Sequence, residues 1–152
     1  MKAPITWETE PTSMDHPFFY GFSQKHRAIM ETSAQPMDFE PGVVLFRQGE
    51  PANRFYLIHS GNIAVESQDQ HGHGSIIQTL SIGDVLGWSW LFQPFVWHFG
   101  ARALEQSATT VLDAGRLLSI AERDHDFGYE LMKRVSQLVV QRLQATRSKL
   151  II

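Results

Sequence analysis

The stretch GWSWLFQPFVWHFGARA, Gly87 to Ala103, gathers three of the chain's four tryptophans, Trp88, Trp90 and Trp97. Phe92, Phe95, Phe99, His98 and Arg102 stand among them. Such residues can wall a pocket for an apolar or aromatic ligand, or they can fill a core; in either setting the indole N–H needs an acceptor. His98 adds an imidazole that suits an anion or a pH-sensitive contact, or that rests on a backbone partner. A second candidate is His71-Gly72-His73, whose H-x-H spacing on a β structure could hold a metal. A metalloenzyme site of this kind wants a glutamate three or four residues further on, where this chain has Ile76 and Ile77. The flanking glycines point instead to an exposed hairpin tip. Ser89 lacks the second glycine of a nucleophile elbow, and no phosphate-cradling loop or catalytic carboxylate pair stands out. With no cysteine, thiolate metal sites, disulfides and a thiol nucleophile are excluded.

The elements that must position these residues follow from pattern. A chain of 152 residues is expected to form one domain, burying roughly 70% of its unfolded surface. Its formal net charge of -3 gives no general reason to expect nucleic acid or an anionic membrane. No signal-peptide or membrane-length apolar run is present, so a cytoplasmic protein is expected. Residues 1–16 read as a loose arm, and residues 17–152 as the domain. Pro17 opens a helix expected near Phe18 to Ala34, which Pro36 would end. Short β-rich runs follow, at Val43–Phe46, Phe55–Ile58, Ile63–Val65 and Ile76–Leu80, punctuated by Gly42, Gly49, Gly61, Gly74 and Gly83. Further strands are expected near His98–Leu104 and Thr109–Asp113. After Gly115 the period becomes helical, and Asp124 or Asp126 can cap a long helix over about 124–150. Its apolar stripe comprises Leu131, Val135, Leu138, Val139, Leu143, Thr146 and Leu150. Arg142 and Lys149 intrude at its edge, while Lys133, Arg134 and Arg147 face outward. The expected fold is mainly β with flanking helices, a double-stranded β-helix or jelly-roll-like β-roll.

Three stretches resemble the cyclic-nucleotide-binding domain of the catabolite-activator and fumarate/nitrate-regulator superfamily. FEPGVVLFRQGEPANRFYLIHSGNIAV, Phe39 to Val65, is similar to that family's opening strands; LSIGDVLGWSWLF is similar to its phosphate-binding cassette; QRLQATRSKL, Gln141 to Leu150, is similar to the central helix of its cAMP-dependent activators. The resemblance implies a glutamate after the cassette glycine for the ribose 2′-OH and an arginine about ten residues later for the cyclic phosphate, at a helix N-terminus that favours anions. Here the glutamate position is Trp88, and the arginine position is His98 by direct count or Trp97 aligned back from Arg102. Neither replacement copies the forked charge-assisted contact of arginine with phosphate. Thr146 matches the threonine that meets the adenine in the activators, and Arg147 follows it.

The pocket implied by the resemblance comprises Gly83, Asp84, Val85, Leu86, Gly87, Trp88, Ser89, Trp90, Leu91, Trp97, His98, Phe99, Arg102, Thr146 and Arg147. Leu131, Val135, Leu138, Val139, Arg142, Leu143 and Leu150 are the residues expected to pair the long helix with a second copy. The expected function is a non-enzymatic sensor of a small molecule, with no certain cofactor, passing its signal through that helix to a partner protein. A true cAMP or cGMP binder, a ligand-free interaction module and a cupin-like metal enzyme are the alternatives. The family's transcription factors follow this helix with a winged helix-turn-helix, which this sequence does not show, so direct sequence-specific DNA contact is not expected.

Overall fold

The computed structural model describes residues 14–68, 71 and 74–150, with side chains except at 146 and 148–150. The arm up to Ser13 and His73 lie outside the described residues, and with His73 the H-x-H pair.

A 3-10 turn at Pro17–Phe19 leads to helix α1 (Gln24–Glu31), then strands β1 (Ala34–Phe39), β2 (Val44–Phe46), β3 (Arg54–Ser60), β4 (Ile63–Gln68), β5 (Gly74–Leu80) and β6 (Val85–Leu86). A second 3-10 turn (Ser89–Leu91), β7 (Gly100–Ala103), β8 (Ser107–Asp113), α2 (Ala114–Arg123) and α3 (His125–Leu150) complete the order. The strands form two antiparallel four-stranded sheets, ordered β1-β8-β3-β6 and β2-β7-β4-β5. This is the β-roll with flanking helices that the pattern implies.

β3 explains why the roll holds together. Phe55, Tyr56, Leu57 and Ile58 are all buried, because this strand is covered on both faces. Tyr56 points into the roll beside Phe39 and Phe46, whereas Phe55 points the other way, onto Phe18 and Trp90. Gly61 turns β3 into β4 with φ +95°, and a Cβ there would meet the Ser107 side chain at 2.2 Å; only glycine fits.

The first helix departs from expectation. Instead of one helix over Phe18–Ala34 there is a 3-10 turn and a short α1, whose N-cap Ser23 accepts from the His26 amide at 3.2 Å. Pro36 does not terminate a helix but lies inside β1, paired with Thr110. β1 is an edge strand, where a missing N–H costs no ladder bond. β6 is also absent from the sequence reading, since two residues carry no periodicity. The strand expected from His98 begins at Gly100. Residues before it pair irregularly with the β2–β3 turn, through Gly49 N–H to Trp97 O (2.8 Å) and Trp97 N–H to Glu50 O (2.9 Å). Asp124 caps α3 as expected, accepting from the Phe127 amide, and Asp113 caps α2. Gly128 lets α3 cross α2 closely: a Cβ there would lie 3.0 Å from Ala121 O. No described helix is long and apolar enough to cross a membrane.

Candidate functional site

The cassette begins at a tight turn. Asp84 accepts the Ser81 amide through its carboxylate, while Gly83 N–H and Asp84 O bond Ile58 of β3. Val85 and Leu86 then pair with Leu57 and Tyr56 and are buried. Gly87 takes φ +103° and redirects the chain into the 3-10 turn, where Ser89 and Trp90 are buried and Leu91 is partly covered. Trp90 stacks on Phe55 at 5.0 Å between centroids, and its Nε1–H donates to Gly87 O at 3.2 Å. The indole thus satisfies its donor on the glycine that precedes it by three residues.

Trp97 occupies the heart of the site. It is 2% exposed and stacks on Phe46 with 3.8 Å between centroids and 12° between planes. Its six-membered ring lies against Gly87: a Cβ at that position would be 2.6 Å from Trp97 Cη2. Phe99 tilts against both Phe46 and Trp97, so Trp97 and Phe99 share one side, as alternation predicts, and His98 is exposed on the other. Phe46 and Phe55 are members of this cluster that sequence spacing does not reveal, because they arrive from β2 and β3.

Arg102 is not brought to the cassette. Ala101 and Ala103 face the core, which turns Arg102 outward to donate from Nε and Nη2 to Glu66 on β4. Arg147 is exposed, and the Thr146 side chain lies outside the described residues. The cation that does reach the cassette is Arg142 of α3. Its Nη2 donates to Val85 O at 2.8 Å, and its Cζ stands 4.9 Å from the centroid of the Trp88 ring. Trp88 and Arg142 are each half-buried. Burial lowers the Arg142 pKa from its ordinary value, opposed by the nearby Asp84 charge. A guanidinium is weakly hydrated and planar, so a place over an indole suits it better than it suits an ammonium.

The residues expected to pair α3 with a second copy divide between two roles. Leu131 and Val135 are buried in their own domain and Leu138 and Val139 pack partly against it, while Arg142 faces the cassette. Leu143 is exposed, and the Leu150 side chain lies outside the described residues. The uncovered apolar face is therefore rotated from the expected stripe, to Tyr129, Met132, Val140 and Leu143. A shallow groove of about 800 Å³ runs along Tyr129, Met132 and Val140, lined also by Lys133, Ser136, Gln137 and Gln141. A stripe wide enough for two contacts gives its better-centred residues to the roll. Solvent receives the margin.

Behind the cassette, His16 is buried although the sequence reading places it in the arm. Its Nδ1 accepts from the Phe18 amide at 3.0 Å, and its Nε2 faces Asp84 O at 3.2 Å. The ring meets His59 edge-on at 5.6 Å, and His59 Nε2 lies 2.6 Å from Thr110 Oγ1. Burial, then the His59 charge, bring His16 down to about 4; burial lowers His59 too, opposed by Asp15. Among the described residues no group of three His, Cys, Asp or Glu side chains is arranged for a metal.

Comparison with known proteins places this geometry. Over 133 residues the chain is 26% identical to the CRP-like cAMP-activated global transcriptional regulator of Mycobacterium tuberculosis, covering 87% of this chain but 57% of that protein. Solved structures with the same fold include a cyclic nucleotide-binding domain from Methylobacillus flagellatus (TM-score 0.75, 17% identity, 84% of this chain and 72% of that one). The sensor domain of the transcriptional regulator DNR from Pseudomonas aeruginosa is another (TM-score 0.67, 20% identity, 85% and 87%). At these identities the structural likeness speaks for the fold alone. The family model for the cyclic nucleotide-binding domain matches residues 36–124, more than half of the sequence, from within β1 through β8 and α2, and the chain belongs to that family.

Proposed function

We propose that this chain is a non-enzymatic regulatory domain whose cassette has been turned away from cyclic nucleotide. A small apolar or aromatic molecule that parts the cassette from α3 is its signal, and α3 hands that signal to a partner. The observation that carries the reading is the Trp97 ring lying on Gly87, stacked on Phe46 and almost wholly buried. On this reading the Trp97 ring takes room beside Gly87 that a bound nucleotide would use. Trp88 compounds the change, since an indole offers one donor where a ribose hydroxyl asks for an acceptor. The resemblance to a cAMP-activated regulator favours the rival reading, so the deciding measurement is calorimetry with cAMP and cGMP. No heat at millimolar nucleotide is expected; saturable binding at micromolar concentration overturns the proposal.

The output face is Tyr129, Met132, Val140 and Leu143, which return to one side of α3 at steps of three, eight and three residues and so suit a helix pair. We infer that a second copy of α3 covers it, in a homodimer. Native mass spectrometry reads this directly: a dimer is expected, and a monomer at tens of micromolar, about the concentration used for such work, overturns it.

A further inference from the structure

We propose that Arg142 is a positioning residue that fastens the C-terminal half of α3 to the cassette, its place over Trp88 making the two elements move as one. The inference rests on reading α3 as the output element, and deepens it by locating the coupling.

The helix is anchored very unevenly. Up to Val139 its inward residues, Leu131, Val135, Leu138 and Val139, are wholly or partly buried against the domain. Beyond Val139, Arg142 is the one residue not exposed among those whose side chains are described. Among the described side chains of these last turns, Arg142 reaches the cassette. That side chain meets the cassette through a hydrogen bond to Val85 O and through its guanidinium carbon, 4.9 Å over the Trp88 ring. Val85 belongs to β6, and Trp88 stands at the N-cap of the second 3-10 turn, its side chain making no capping hydrogen bond there. Arg142 therefore spans the bend at Gly87 and ties both of its sides to one helix. Anything that inserts against Trp88 must first move the guanidinium, and with it the helix end. Tryptophan at position 88 has a use in this arrangement: its ring is the platform on which α3 rests.

Hydrogen exchange resolved by mass spectrometry tests this on the full chain, comparing wild type with Arg142→Gln, Arg142→Lys, Trp88→Leu and the Gln/Leu double variant. Amides of residues 84–91 and of residues 138–145 are both expected to exchange about tenfold faster in each single variant, with no further gain in the double variant. Arg142→Lys, which keeps charge but not the plane, is expected to resemble Arg142→Gln, and Trp88 emission is expected to shift to the red in both. Unchanged exchange in the cassette overturns the proposal, as do additive effects or full protection in Arg142→Lys. Trp88→Leu preserves apolar bulk, so the pair can be read even where one arginine variant folds poorly. Calorimetric binding of cAMP by the wild-type chain would overturn the functional reading above while leaving this exchange result standing. The two can fail separately.

Discussion

Acid should loosen this domain through His16, and the size of the effect follows from its surroundings. The ring is 1% exposed, with Nδ1 accepting from the Phe18 amide and Nε2 facing Asp84 O. A second proton would have to go on Nδ1, setting two donors face to face at 3.0 Å in a buried site. Burial first and His59 second therefore lower His16 to about 4, against smaller opposing contributions from the carbonyls of Asp84 and Ile58 and the Asp84 carboxylate. In the unfolded chain the same group titrates near 6.5. Between these values the unfolded state binds the extra proton and the folded state does not, so stability rises with pH. The contribution is complete above about pH 7 and is lost progressively as the pH falls towards 4; from the two pKa values, the loss is about 2 kcal/mol at pH 5 and about 3 kcal/mol at pH 4. Urea unfolding of wild type and His16→Asn at pH 7.5, 6 and 5 isolates it. Asparagine is a good N-cap and can still accept from the Phe18 amide, so the variant keeps the turn but not the titration. His59, Asp15 and Asp84 remain in both proteins, so the difference reports His16 together with its coupling to these neighbours. Parallel pH profiles for the two proteins would refute the reasoning, as would a wild type that gains stability on acidification.

Trp97→Ala is expected to cost about 3–5 kcal/mol in chemical unfolding, and millimolar indole should raise its melting temperature while leaving the wild type unmoved. Gly87→Ala should cost at least about 2 kcal/mol, because it adds a Cβ against Trp97 at φ +103°; combined with Trp97→Leu the two costs should fall short of their sum. Arg102→Ala should change stability by at most about 1 kcal/mol, since its pair with Glu66 is partly solvated. Met132→Glu with Leu143→Glu should leave the melting temperature of the monomer unit nearly unchanged and convert the expected dimer to monomer by native mass spectrometry.

Much of this molecule is readable along the chain. Glycine turns at fixed intervals, four-residue apolar runs and a late change of period to 3.6 are local properties, and they lead to a β-roll followed by a long helix. The expectation that Trp88 stands in place of the glutamate, and His98 or Trp97 in place of the arginine, is likewise drawn from local spacing. Three features needed the folded chain. Pro36 reads as a helix stop because proline cannot continue a helix, but its tolerance within β1 depends on that strand lying at a sheet edge. Phe46 and Phe55 belong to the aromatic cluster only because sheet pairing carries β2 and β3 to Trp97 and Trp90. The side chains of α3 were assignable to a wide stripe, but the angle at which the helix meets the roll decided which part of it is covered. That angle turned Arg142 from an interruption of the stripe into a contact with Trp88, and left Leu143 to solvent. Residue type and spacing specify which surfaces seek burial; which partner each one finds is a property of long-range packing, where 57 residues separate Val85 from the arginine that binds its carbonyl.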